Sequence, residues 1–232
     1  MENISRPNND KKLTIRVGEI TYNRYPIKTH VISDKDRIGE VVQKYAKNFL
    51  QEGDFLAISE RVVAITQGRA YPIKDIKPSL LAKILVKFVF KPSWGIGIGS
   101  PWTMELAIRE AGVGRIFLAA LASAMTKPFG IRGIFYHVVG KNIAAIDGPC
   151  SYTLPPYNQY AKLAPAEPDK VAQSLSDSFK VPVAIIDAND IGVAVLGASS
   201  GINRELVSAV FKDNPLGQTN EQTPLCIVRI VK

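Results

Sequence analysis

Cysteine is scarce in this chain: Cys150 and Cys226 are the only two in 232 residues. Two cysteines make no disulfide framework, and neither has a partner at Cys-x-x-Cys metal-ligand spacing. Both read as small hydrophobes in a reducing compartment. Blocks of like charge, an aromatic RNA-binding signature and zinc-finger spacing are all missing, so nucleic acid is not an expected partner. The glycine-rich stretch 95–99 is not followed by Gly-Lys-Ser/Thr and does not match the dinucleotide fingerprint. Two readings of it stay open, backbone amides aimed at an anion and a tightly packed glycine strand. Long apolar runs are absent as well. The longest, residues 116–125, is too short to span a bilayer and ends at Lys127 and Pro128. The first 12 residues are polar, lack the apolar core of a signal peptide and read as a disordered tail. The expectation is a soluble, cytoplasmic protein without internal repeats.

What is there is a globular composition, 46% hydrophobic and 22% charged, with a formal net charge of +8. The positive excess favours anionic partners such as nucleotides, polyphosphates, nucleic acid or membrane surfaces, without choosing among them. Residues 13–25 alternate loosely and predict one or two strands. Ser33 starts a predicted helix running to about residue 50. Gly53-Asp54 turns into a strand over 55–59, and a second apolar stretch over 61–66 closes at Gln67-Gly68-Arg69. Residues 80–91 predict a helix with Lys83, Lys87 and Lys91 along one side. Such a helix can lie on a membrane, but a solvated edge of a core helix is the commoner outcome. Ser100 and Pro101 suit the first positions of another helix, and 115–125 predicts a further one. Residues 133–139 and 142–146 read as strand-like, 152–168 as a Pro- and Tyr-rich connection, and 168–179 as a helix. A strand over 181–187, a glycine-studded strand over 192–197, a helix over 203–211 and a last strand over 225–231 complete a mixed α+β pattern.

The most informative stretch is Val181 to Gly192, in which an apolar run stops at Asp187-Ala188-Asn189-Asp190. Two nearby carboxylates repel unless a proton or cation lies between them. A hard divalent ion is one occupant. A turn whose aspartates bond their own backbone is the other reading. Asp147 ends a second apolar run, and Glu221 sits in a third acidic turn. Oxygen donors from separate turns are what Mg²⁺ or Mn²⁺ on a nucleotide requires.

In order along the chain, these motifs resemble the γ-glutamyl ligases that extend the deazaflavin coenzyme F420. The matching residues are Gly53-Asp54 and Gln67-Gly68-Arg69, then Ile146-Asp147 followed by Leu154-Pro155-Pro156. Ile186-Asp187 with the strand Gly192 to Gly197 comes next, and Gly217-Gln218, Glu221, Pro224 and Arg229 close the series. Where the family commonly has a lysine before the Glu-Gly-Arg turn, this chain has Ile65, Thr66 and Gln67. Where the family has threonine beside the metal-binding aspartate, it has Ala188. Residues of about 80–140 look unlike the family.

The resemblance implies a single ligase-like α+β domain over 13–232, with mixed sheets and flanking helices, and a homodimer. It implies GTP-dependent amide ligation through an acyl phosphate, with Mg²⁺ or Mn²⁺. Asp147 and Asp187 would be metal ligands, Asp190 and Glu221 auxiliary ones, and Gln218 a contact to nucleotide or metal. Lys28, Arg61 and Arg69 would contact anions. His30 would bind phosphate or act as a base, unless it is a packed, hydrogen-bonded residue. His137 reads as structural. A non-catalytic nucleotide- or metabolite-binding protein on the same scaffold stays open beside the ligase.

Overall fold

The computed structural model describes residues 6–89, 97–131, 133–189 and 192–231. In chain order its elements are β1 (Thr14–Val17), β2 (Ile20–Ile27), α1 (Ile38–Tyr45), β3 (Phe55–Ser59), α2 (Glu60–Thr66), β4 (Ala70–Pro72), α3 (Leu80–Leu85), α4 (Pro101–Ala111), α5 (Val113–Thr126), α6 (Ile134–Val139), α7 (Lys141–Ala144), β5 (Tyr160–Lys162), α8 (Pro168–Phe179), β6 (Val183–Asn189), β7 (Gly192–Ala198), α9 (Arg204–Val210) and β8 (Leu225–Ile230). The architecture is mixed α+β, with a mixed sheet and flanking helices, as the alternating pattern predicts. The chain divides into two compact units. Unit 1 is Met1–Gln67 with Pro165–Lys232, and unit 2 is Gly68–Ala164.

In unit 1 a six-stranded sheet runs in the order β1-β2-β8-β3-β6-β7. Among the described residues of this sheet only β3 and β6 pair in parallel. The central strands β3, β6 and β8 are each buried over most of their length, which is why they read as continuous apolar runs. Ala57, Ala184, Ile186, Cys226 and Val228 face α9, whose Val207 and Val210 join Phe211 over them. Within the polar start expected as a tail, the side chain of Asn8 donates to Pro215 O and Thr223 Oγ1, and Lys11 Nζ donates to Asp213 O. From Asn8 onward the segment is thus tied down, because its polar side chains meet backbone acceptors. The two ends that lead out of unit 1 are bonded side by side. Gln67 donates to Ala166 O at 3.0 Å and accepts from Ala166 N at 2.7 Å.

Unit 2 is mainly helical around its own apolar cluster, with the small ladder β4-β5. Ser100 caps α4 as the sequence predicts. Its hydroxyl accepts from Thr103 N while Thr103 Oγ1 accepts from Ser100 N. Ser79 caps α3 in the same way through Ala82 N.

Some expectations differ, and the helix expected over 80–91 ends as α3 at Leu85. The helix expected from Ser33 starts at Ile38, because the Asp36 carboxylate accepts from Ser33 N and Oγ and closes a turn. The apolar stretch after β3 is α2. The strand-like segments over 133–139 and 142–146 are α6 and α7. Their β-branched residues are overridden by packing of Val139 and Ile143 into the unit 2 cluster.

Candidate functional site

The register of the unit 1 sheet gathers most of the candidate residues at one edge. Ile27 of β2 pairs with Leu225 of β8, Leu225 with Ile58 of β3, and Ile58 with Ile185 of β6. One step further along lie Lys28, Pro224, Ser59 and Ile186. At this edge β2 and β3 end, β8 begins, and β6 and β7 continue as a hairpin to the pair Asn189–Gly192. Lys28 and His30 therefore follow β2, Arg61 sits in the first turn of α2, and Asp187 lies on the hairpin. Gln218 and Glu221 lie in the loop that enters β8. Two backbone bonds stitch the edge together, Ser59 N to Pro224 O at 2.8 Å and Thr29 N to Gln222 O at 2.9 Å. Asp190 lies outside the described residues. Arg69 and Asp147 belong to unit 2.

Asp187 is inside β6, paired with Ala194, rather than at the strand's end. The ladder with β7 runs past it to the pair Asn189–Gly192. Alternation along β6 separates the faces: Ala184, Ile186 and Ala188 join the α9 cluster, and Asp187 faces the other way. Asn189 Oδ1 accepts from Gly192 N at 3.0 Å, an Asx-type bond of the kind the sequence allows.

Glu221 is braced in its own loop. Its carboxylate accepts from Thr219 N and Thr219 Oγ1, and its side chain lies so close over Gly217 that a Cβ there would meet Glu221 Cδ at 2.4 Å. Gly217, at φ +79, is thus required twice over. Asn214 and Thr223 cross-brace the loop through Gly217 O and Leu216 O. Gln218 is exposed beside it.

His30 is held by both ring nitrogens, Nδ1 with the Tyr45 hydroxyl and Nε2 with Asp36, each at 2.9 Å, and its ring stacks on Tyr45. The bonds from Ser33 and His30 hold the Asp36 carboxyl below its usual range. Tyr45 and Asp36 escaped the sequence reading because no spacing signals a contact between a loop and a helix. Glu60, buried in the first turn of α2, was missed as well. A carboxylate directly after a buried strand is the signal that points to it.

In unit 2, Arg69 Nε donates to Ala164 O and its Nη2 pairs with Glu110, both at 2.6 Å. Asp147 exchanges backbone bonds with Lys162 and accepts from Gly148 N at 2.9 Å. Lys162 is buried, with Nζ donating to Ala145 O. His137 lies on the exposed side of α6.

Among the described residues no three His, Cys, Asp or Glu side chains form a group able to hold a metal. What unit 1 offers at the sheet edge is Asp187, Glu221 and the Gln218 amide oxygen. These are hard oxygen donors, which suit Mg²⁺ or Mn²⁺ in kind. Their small number suits an ion that takes its remaining ligands from phosphate and water.

Residues 26–204 match the model of a family described as F420-0:Gamma-glutamyl ligase. Gln218 and Glu221 lie beyond the matched range. The coenzyme F420:L-glutamate ligase of Methanopyrus kandleri is 27% identical over 176 residues, which cover 75% of this chain. The chain spans 58% of that relative's length.

Proposed function

The chain belongs to the F420-0:gamma-glutamyl ligase family, and from that membership we propose that it is a divalent-metal-dependent γ-glutamyl ligase driven by GTP. The observation that carries the reading is the sheet edge of unit 1, where loops from five strands bring cationic and oxygen-donor side chains to one rim. Asp187 and Glu221 would hold Mg²⁺ or Mn²⁺, with Asp190 as a further donor; Asp147, the remaining ligand that the resemblance implies, belongs to unit 2. The bound ion would neutralise charge on the triphosphate. Lys28 and Arg61 would neutralise the rest, and Gln218 would contact nucleotide or metal.

In the proposed reaction an acceptor carboxylate attacks the γ-phosphorus and the β–γ bridging bond breaks, releasing GDP. The glutamate amine then attacks the acyl carbon and phosphate departs, with the amine proton passing to a base. For His30 to be that base, one ring nitrogen must let go of Tyr45 or Asp36. Arg69, tied to Glu110 and Ala164, would serve as an anion contact through its remaining donors. A homodimer, with a nucleotide and a small anionic substrate as ligands, completes the proposal.

Titration calorimetry with GTP and with ATP, each with Mn²⁺, tests this reading. Binding by the wild type is expected, weakened at least about tenfold by Asp187→Asn, or ~1.4 kcal/mol. The absence of any binding heat from the wild type would sink it. One observation favours a second reading, a binding protein without turnover: Ile65, near the family's lysine, is buried in α2. Nucleotide binding without phosphate release, with glutamate and the deazaflavin acceptor present, would select that reading.

A further inference from the structure

Unit 2 carries apolar side chains where a helix normally meets water. α5 buries Ile116 and Ala119, yet Val113, Phe117, Leu118, Leu121 and Met125 stand in the open on its other side, followed by Phe129. Phe117 is 61% exposed, Met125 65% and Phe129 81%. At about 100° per residue, the α5 side chains fill an arc of roughly 140° that contains no charge. Arg115 and Lys127, both exposed, flank it. The inner face is built largely from alanine, so the larger side chains are the ones left outside. An uncharged exposed face of this extent marks an interaction surface.

Charge identifies what covers it. Unit 2 holds 12 Lys and Arg against 4 Asp and Glu, so the chain's entire formal +8 resides there and unit 1 is balanced. Two of the four acidic residues, Glu105 and Glu110, are paired with Arg109 and Arg69. A second copy docked on this face would bring two strongly positive surfaces together, whereas an anionic surface complements it. α5 is 14 residues long, about 21 Å against a hydrocarbon core of ~30 Å. Among the described residues no helix is long and apolar enough to cross a membrane. The fitting geometry is a helix lying in the plane of the surface, apolar side chains in the acyl boundary and basic ones among headgroups. Lys83, exposed on α3, describes only a solvated edge; the α5 face supplies the apolar half.

We infer that α5 docks unit 2 on a membrane surface rich in anionic lipid headgroups, through Phe117, Leu118, Leu121 and Met125 with Arg115 and Lys127 at its margins. This docking surface is independent of the ligase reading.

Co-sedimentation of the full chain with phosphatidylcholine vesicles, with and without one third phosphatidylglycerol, tests it. Wild type is expected to pellet with the anionic vesicles and not with the neutral ones. Phe117→Asp with Leu121→Asp should abolish pelleting while far-UV circular dichroism and the thermal midpoint stay unchanged, since both side chains are exposed. Arg115→Glu with Lys127→Glu should weaken binding by about 30-fold or more, at roughly 1 kcal/mol per basic residue. No pelleting of the wild type at low salt overturns the inference, and so does pelleting that persists in the folded Phe117/Leu121 double variant. A wild-type dimer in sedimentation velocity that the same variant splits, with no vesicle binding, assigns the face to a second copy and overturns it too.

Discussion

Asp187 and Ala188 are neighbours in sequence, but they work on opposite faces of β6. Ala188 belongs to the apolar cluster under α9 and Asp187 to the other face. The missing threonine hydroxyl therefore removes no side-chain donor from the face that Asp187 presents. Two other motif residues are engaged with each other. Arg229 Nε and Nη2 grip the Asp54 carboxylate at 2.7 Å each, and Nη2 also donates to Phe49 O. Gly53-Asp54 and the arginine of the last strand thus form a brace, and their place in the family pattern needs no catalytic role. A third pair contributes to the acid sensitivity of the fold. Arg24 is fully buried and pairs with Asp213. Burial pushes the Asp213 carboxyl up, but the hydrogen bonds and charge of Arg24 outweigh it, so its net value lies below the usual range. A lowered folded-state value means that the contribution is present above the unfolded value of about 3.9 and is lost as pH falls further. The wild type should therefore lose thermal stability below about pH 4 more steeply than Asp213→Asn, read from melting midpoints between pH 2 and 7.

At the scale of elements, legibility followed local chemistry. α4 was readable because Ser100 and Pro101 carry its start signal. β3, β6 and β8 were readable because burial on both faces removes polar residues from a strand. α6 was not readable, because Ile134, Phe135, Val138 and Val139 favour strands locally and only the unit 2 cluster makes them helical. The site divided in the same way. Residue types at strand ends could be read, but the cross-strand register that brings Lys28, Arg61, Asp187 and Glu221 to one rim is a long-range property. The His30 clamp by Tyr45 and Asp36 is long-range too. One element contact is tight enough to test. A Cβ on Gly197 of β7 would meet the backbone C and O of Pro168, at the start of α8, at 2.4 Å. Backbone cannot rotate away as a side-chain end does. Gly197→Ala should cost about 1–3 kcal/mol or more, seen as a lower urea midpoint.

For the whole molecule, the uneven charge is the dominant fact. With 12 basic and 4 acidic residues in unit 2, self-repulsion opposes its compact state. Raising NaCl from about 20 mM to about 300 mM shortens the screening length and should raise the thermal midpoint. A flat or falling midpoint would show that the ion pairs lost to screening outweigh the repulsion relieved.

The reciprocal bond between Gln67 and Ala166 has a consequence for how such a chain can diverge. Seen from the sheet, unit 2 is a loop of roughly 100 residues whose two ends are already pinned. The entropy of closing a loop rises only with the logarithm of its length, about 0.6 kcal/mol for each doubling. Insertions, deletions and wholesale rewriting between those ends thus leave the closure term of the six-stranded sheet almost untouched. A sequence can explore new surfaces in that interval while the rim that carries Asp187 keeps its register.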